Sequence, residues 1–144
     1  MSNMIVLSDR PVSEIMSTEV VSVNENEPIE ELVWKFQYYR YAGFPVLNDK
    51  RELVGIVRDS DILKLFVMTR PDSILAEKAS DVMRVPPQTI SPQATAQEAV
   101  EKMFDANVRL LAVVEKKEIL GVISREDLVC GLFTREKGGE WPGE

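Results

Sequence analysis

The spacing of apolar residues changes period along the chain, and the changes mark its elements. Ile29, Leu32, Val33 and Phe36 recur at helical spacing after Pro28 and predict a helix with one inward face. Glu30 and Glu31 sit in its first turn, where the helix dipole favours acidic residues. Tyr38, Tyr39 and Tyr41 close it and read as core and surface cover rather than as a binding platform. Phe44–Leu47 and Leu53–Val57 are short apolar runs joined by the polar Asn48-Asp49-Lys50-Arg51, which predicts a hairpin. Ile62, Leu63, Phe66 and Val67 then define a helix that starts at Asp59 or Ser60 and stops at Arg70-Pro71-Asp72. Ahead of this lie an extended arm around Met4–Leu7, a helical turn from Pro11 to Met16, and a strand over Glu19–Val23.

Residues 73–78 read as a connector, and the pattern then returns. Ala79–Met83 repeats the opening turn, and Pro86-Pro87 leads into a strand over Gln88–Ile90. Thr95 with Glu98 has capping-box spacing, and Ala96, Ala99, Val100 and Met103 repeat the inward stripe. Leu110–Val114 and Ile119–Ile123 repeat the hairpin around Glu115–Glu118, and Arg125–Phe133 is the last helix. Lys137–Glu144 is Gly-rich and charged, so it is expected to be disordered, with Trp141 either free or docked on a partner.

The recurrence is an internal repeat. Val12-Ser13-Glu14-Ile15-Met16 answers to Ala79-Ser80-Asp81-Val82-Met83, and Phe44-Pro45-Val46-Leu47 to Leu111-Ala112-Val113-Val114, both at an offset of 67. Gly55 and Asp61 answer to Gly121 and Asp127 at 66, so one residue is lost in the hairpin turn. Two copies are too few for a solenoid and read as two similar halves.

Composition narrows the class. The chain has 144 residues, 44% apolar and 28% charged, as expected of a soluble globular protein of one domain or two small halves. Its net charge of −7 argues against a nucleic-acid binder, though not against a small anion held by local donors. A single cysteine, Cys130, excludes an internal disulfide and a thiolate zinc site, and it is expected to pack as a small buried hydrophobe. No apolar run is long enough to span a membrane and no signal-peptide pattern opens the chain, so a cytoplasmic protein is expected. The chain has no histidine, and its seven glycines form no Walker loop, dinucleotide loop or nucleophile elbow, so no enzyme and no catalytic residue is expected.

Candidate chemistry concentrates where a strand turns into a helix, at Gly121-Val122-Ile123-Ser124-Arg125-Glu126-Asp127 and at Gly55-Ile56-Val57-Arg58-Asp59-Ser60-Asp61. In one reading Ser124 is a helix cap and Asp127 its reciprocal acceptor. In the other, the helix N–H groups and the hydroxyl take a phosphate while the carboxylate accepts a ribose diol. Both readings stand on these residues alone.

The order of these motifs, twice over from residue 11 to 134, resembles a tandem pair of CBS domains, also called a Bateman module. The resemblance implies an α+β fold of two pseudo-symmetric β-α-β-β-α motifs packed sheet to sheet. The first would span 11–70 and the second 71–134, with an N-terminal arm at 1–10 and a flexible tail at 135–144. It implies two equivalent clefts, a homodimer, and adenosine-based ligands such as AMP, ADP or ATP, with S-adenosylmethionine, methylthioadenosine or NAD in some members. Transferred position by position, it gives Ser124 as the phosphate-side hydroxyl and Asp127 as the ribose carboxylate. Thr89 becomes the strand hydroxyl near the base, Leu111 and Ala112 the apolar edge that reads adenine, and Arg109 a basic phosphate contact. The first half carries Ser22, Phe44, Pro45 and Asp61 in matching places but departs at Arg58, which stands for Ser or Thr. Arg58 serves there either as a phosphate donor or as a filler of the cleft paired with Asp59 or Asp61, which makes this the weaker site.

The expected function is a stand-alone regulatory module that binds an adenosine-based ligand and signals to an effector protein, with no required cofactor or metal. The alternative is a scaffolding protein whose clefts are vacant or take S-adenosylmethionine or NAD.

Overall fold

The computed structural model describes residues 4–68 and 76–135. The predicted helix end at Arg70-Pro71-Asp72, the first half of the connector (73–75), and the tail with Trp141 lie outside the described residues. In chain order the elements are β1 (Met4–Val6), α1 (Val12–Ile15), β2 (Val23–Asn24), α2 (Ile29–Tyr39), β3 (Gly43–Leu47), β4 (Leu53–Arg58) and α3 (Asp59–Met68). A 3-10 turn (Ala79–Asp81) follows, and then β5 (Thr89–Ile90), α4 (Ala96–Ala106), β6 (Leu110–Glu115), β7 (Glu118–Ser124), α5 (Arg125–Leu132) and β8 (Phe133–Arg135). This is the α+β repeat that the apolar spacing predicts.

Among the described residues, 19–68, 76–88 and 116–119 cluster as one unit, and 4–18, 89–115 and 120–135 as another. The first unit holds the sheet β2-β3-β4, in which β2 runs parallel to β3 with Val23 opposite Val46. β4 returns antiparallel, Phe44 facing Val57 and Pro45 facing Ile56, with a bulge between Val46 and Leu47. Its core is Val23, Leu32, Phe44, Val46, Val57 and Ala79. The second unit repeats this as β5-β6-β7, with Ile90 opposite Val113 at the repeat-equivalent position. Its core runs through Ala96, Ala99, Met103, Leu111, Val113, Ile123 and Leu128.

Each opening turn joins the unit that carries the other repeat's hairpin. Val12, at the head of the chain, is fully buried in the core of α4, β6 and β7. Ser17 exchanges backbone hydrogen bonds with Val122 at 2.8 and 3.0 Å. Ala79 is fully buried in the core of α2, β3 and β4, and Arg84 exchanges bonds with Ile56 at 2.8 and 3.2 Å. The glycine of each strand–helix junction makes room for this turn. A Cβ on Gly121 would lie 2.6 Å from the Ser17 carbonyl oxygen and 2.9 Å from the Met16 sulfur. A Cβ on Gly55 would lie 2.6 Å from the Met83 sulfur. The repeated Met and the repeated Gly are thus two sides of one contact.

Several expectations need correction. The Glu19–Val23 strand shrinks to Val23–Asn24. Phe133 leaves the last helix and pairs in β8 with Val6 of β1, so the extended arm becomes one strand of a two-stranded antiparallel sheet. In α3 the inward stripe fails, since Leu63 and Val67 are 62% and 87% exposed while Asp61 is buried and Ile62 packs on the core. Val33 of α2 is also exposed. Cys130 is exposed rather than buried, because the inward face of α5 is taken by Leu128 and Gly131. Thr95 caps α4 through Glu98 N–H at 3.2 Å, and among the described residues the reciprocal bond from Glu98 is not made.

Candidate functional site

The second junction is built from one sheet and the helix that leaves it. β7 is apolar from Ile119 to Ile123, and Ser124 then turns the chain with extended backbone into α5. Ser124 Oγ accepts Asp127 N–H at 3.1 Å, and Asp127 Oδ2 accepts Ser124 N–H at 2.9 Å, which completes a reciprocal cap. Asp127 is half-buried. Among the described residues, its other carboxylate oxygen has no hydrogen-bond partner.

The remaining second-half candidates gather on the same sheet. Thr89 lies opposite Ala112 in the parallel register of β5 and β6. Leu111 and Ala112 are fully buried. Arg109 stands exposed just before β6, and its carbonyl accepts Arg125 N–H at 3.2 Å, next to the Ser124 cap. Arg125 also donates to the Val108 carbonyl from Nε and Nη2 at 3.4 and 3.2 Å, and stacks over Phe104 at 4.9 Å. These bonds tie the start of α5 to the loop before β6. Through them the structure brings Arg109, Ser124 and Asp127 to one end of the sheet.

The first junction has the same backbone with different chemistry. Asp59 N–H bonds to the Ala42 carbonyl at 3.1 Å, the counterpart of the Arg125–Arg109 bond. Asp61 Oδ2 accepts Arg58 N–H at 2.9 Å, the counterpart of the Ser124–Asp127 cap. The Arg58 side chain then adds Nε to Oδ2 at 3.2 Å and Nη2 to Oδ1 at 2.8 Å. Hydrogen bonding to Asp61 outweighs the effect of burial and raises the guanidinium pKa above its already high ordinary value, so Arg58 is charged throughout the working range. Of the two pairings open to Arg58 in sequence, the structure shows the one with Asp61. Phe44 and Pro45 are buried in β3, and Ser22 stands directly before β2.

Sequence reasoning passed over one repeated pair. Lys35 of α2 donates its Nζ to the Ser22 carbonyl at 3.2 Å, and Lys102 of α4 donates to the Thr89 carbonyl. Both lysine and acceptor recur at an offset of 67, the signal that could have found them. Lys35 is held further by Glu27 at 2.9 Å. Each lysine tethers the backbone of the candidate strand hydroxyl, Ser22 or Thr89, to the helix above it.

Comparison with known proteins identifies this architecture. The model of the CBS domain matches residues 12–68 and again 79–133, and the chain belongs to that family as a tandem pair. An uncharacterised protein of Methanopyrus kandleri is 25% identical over 121 residues, covering 82% of this chain and 60% of its own length. The chain spans 60%, 47% and 34% of the first three curated relatives it matches. Among solved structures, CBSX2 in complex with AMP aligns with a TM-score of 0.75 at 21% identity, covering 84% of this chain and 94% of that one. The CBS domain of a bacterial CNNM/CorC family Mg2+ transporter in complex with ATP aligns with a TM-score of 0.72 at 22% identity, covering 85% and 87%. At these identities the two likenesses establish the shared fold.

Proposed function

We propose that the chain is a regulatory module that binds an adenosine-based ligand at its second junction and passes the bound state to a partner protein. The observation that carries this reading is the half-used carboxylate of Asp127. One oxygen closes the helix cap, and the other is left beside the N-terminus of α5 with the hydroxyl of Ser124 three residues before it. A ribose diol needs such an acceptor, and a phosphate is favoured by the helix dipole and a nearby cation such as Arg109. Thr89 supplies a hydroxyl for the base on the strand paired with β6, where Leu111 and Ala112 are fully buried and hold that strand in place rather than present a surface of their own. Two solved structures of the same fold are complexes with AMP and ATP, which supports the ligand class.

The reading is of a binder without turnover. No histidine is available as a base anywhere in the chain. No group of three or more His, Cys, Asp or Glu among the described residues is placed to hold a metal ion. No helix among them is long and apolar enough to cross a membrane. Calorimetric titration of the purified chain with AMP, ADP, ATP and S-adenosylmethionine tests the reading. Saturable binding of at least one, without product by chromatography over hours, is expected. No heat from any of the four would replace it with a scaffolding role.

The homodimer is part of the same reading. Val33, Trp34, Leu63 and Val67 expose apolar surface on α2 and α3, as Phe104 and Val129 do on α4 and α5. Exposed apolar helix faces mark interaction surfaces, and a second copy of the chain would cover them in a symmetric pair. Light scattering should give twice the 16.3 kDa chain mass at micromolar concentration, and a monomer mass would refute this.

A further inference from the structure

The two junctions form an internal comparison, because repeat symmetry gives both the same backbone cap. In each, the N–H of the last strand residue bonds the aspartate Oδ2 of the following helix at 2.9 Å. In each, the next residue's N–H returns to the carbonyl before the middle strand, at 3.1 and 3.2 Å. What differs is the side chain at the last strand residue, Arg58 in one and Ser124 in the other. The Ser124 hydroxyl bonds the backbone and leaves an Asp127 oxygen without a partner among the described residues. The Arg58 guanidinium takes both oxygens of Asp61, whose side chain is only 8% exposed.

We propose that Arg58 is a built-in occupant of the first junction that saturates Asp61 and limits the chain to one nucleotide, bound at the second. This rests on the reading of the second junction given above. A diol that reached Asp61 would have to displace two bonds in which donor and acceptor are both charged, and supply two in which only the carboxylate is. It would also leave the guanidinium without its partner in a partly buried setting, where an unpaired charge is disfavoured. Hydroxyls bring no positive charge and so do not compensate for the broken ion pair. Residue 58 is therefore a specificity-determining position, which admits a ligand as Ser or Thr and excludes it as Arg.

The test is a gain of binding. The wild-type chain, Arg58→Thr, Arg58→Gln, Asp127→Asn and Arg58→Thr/Asp127→Asn are titrated with AMP and with ATP by calorimetry, and their melting is recorded to show that each folds. Wild type should bind one AMP per chain, and Asp127→Asn should bind it about tenfold to a few hundredfold more weakly. Arg58→Thr should bind two, the new site within about tenfold of the first in affinity. The double variant should bind one. Arg58→Gln removes the charge with less change in bulk and should also open the site if Thr fails to fold. A wild type that binds two AMP or two ATP, the latter with Arg58 acting as a phosphate donor, overturns the proposal. So does a second site absent from both Arg58 variants. If wild type binds nothing while Arg58→Thr binds one, the occupant stands and the second-junction reading falls. If no variant binds, both fall.

Discussion

Asp127 has two tasks in this structure, and two substitutions separate them. Its Oδ2 accepts Ser124 N–H at 2.9 Å, while its other oxygen is the proposed ribose acceptor. Asp127→Asn can keep the first task through its amide oxygen but places an NH2 donor where a diol needs an acceptor. Its folding penalty should be confined to the lost interaction of charge with helix dipole, about 0.3–1 kcal/mol. Asp127→Ala loses the dipole term and the cap, for a total of about 1–2 kcal/mol. A chain of 144 residues has an unfolding entropy that converts 1 kcal/mol into about 3 °C of Tm. The expected shifts are therefore about 1–3 °C for Asn and about 3–6 °C for Ala without ligand. Ligand affinity should fall in both, by about tenfold to a few hundredfold for the loss of a charge-assisted bond of about 1.5–3 kcal/mol. Differential scanning calorimetry gives the first pair of numbers and isothermal titration the second. An Asn variant that binds like wild type would refute the carboxylate as the ribose acceptor. An Ala variant with unchanged Tm would refute the energetic weight given to the cap.

Two other predictions concern the scaffold. Gly121→Ala should destabilise by about 1–3 kcal/mol and Gly55→Ala by less, because the first Cβ meets the Ser17 backbone oxygen while the second first meets the flexible Met83 side chain. Urea midpoints check the order, and equal losses would refute the assignment of the close approach at Ser17. Asp81 is held below its ordinary value near 3.8 chiefly by hydrogen bonds from the Glu77 and Lys78 N–H groups. A depressed carboxyl stabilises the fold above its unfolded-state pKa and loses that contribution as pH falls through the folded one. Wild type should thus lose stability faster than Asp81→Asn below about pH 4, and parallel curves would contradict this.

Some of this structure was legible in the sequence and some was not, for identifiable reasons. The hairpins β3–β4 and β6–β7 follow from short apolar runs around polar turns, and the helices α2 and α4 from their spacing. The Ser124–Asp127 cap was legible because capping depends on residues only three apart. The Arg58–Asp61 pair was legible as one of two options, since Asp59 and Asp61 are both within reach of a long side chain. Partner choice over long distances was not legible. Nothing local says that Val12 packs with α4, or that Phe133 leaves a helix to pair with Val6. In α3 the apolar residues occupy more than one face, so spacing named Leu63 and Val67 as inward while the structure buries Asp61, whose charge Arg58 neutralises. Lys35 and Lys102 escaped notice because a lysine on an amphipathic helix ordinarily reads as a solvated one, although its stem can lie along the fold while the ammonium reaches a carbonyl.

In the proposed complex a ribose diol rests on Asp127. Titrating wild type and Asp127→Ala with AMP and with 2′,3′-dideoxy-AMP probes that contact. Removing the diol should weaken wild-type binding by about tenfold to a few hundredfold and barely change binding to the variant, so that the two losses are not additive. Equal affinity of wild type for both nucleotides, or the same loss in both proteins, would contradict it.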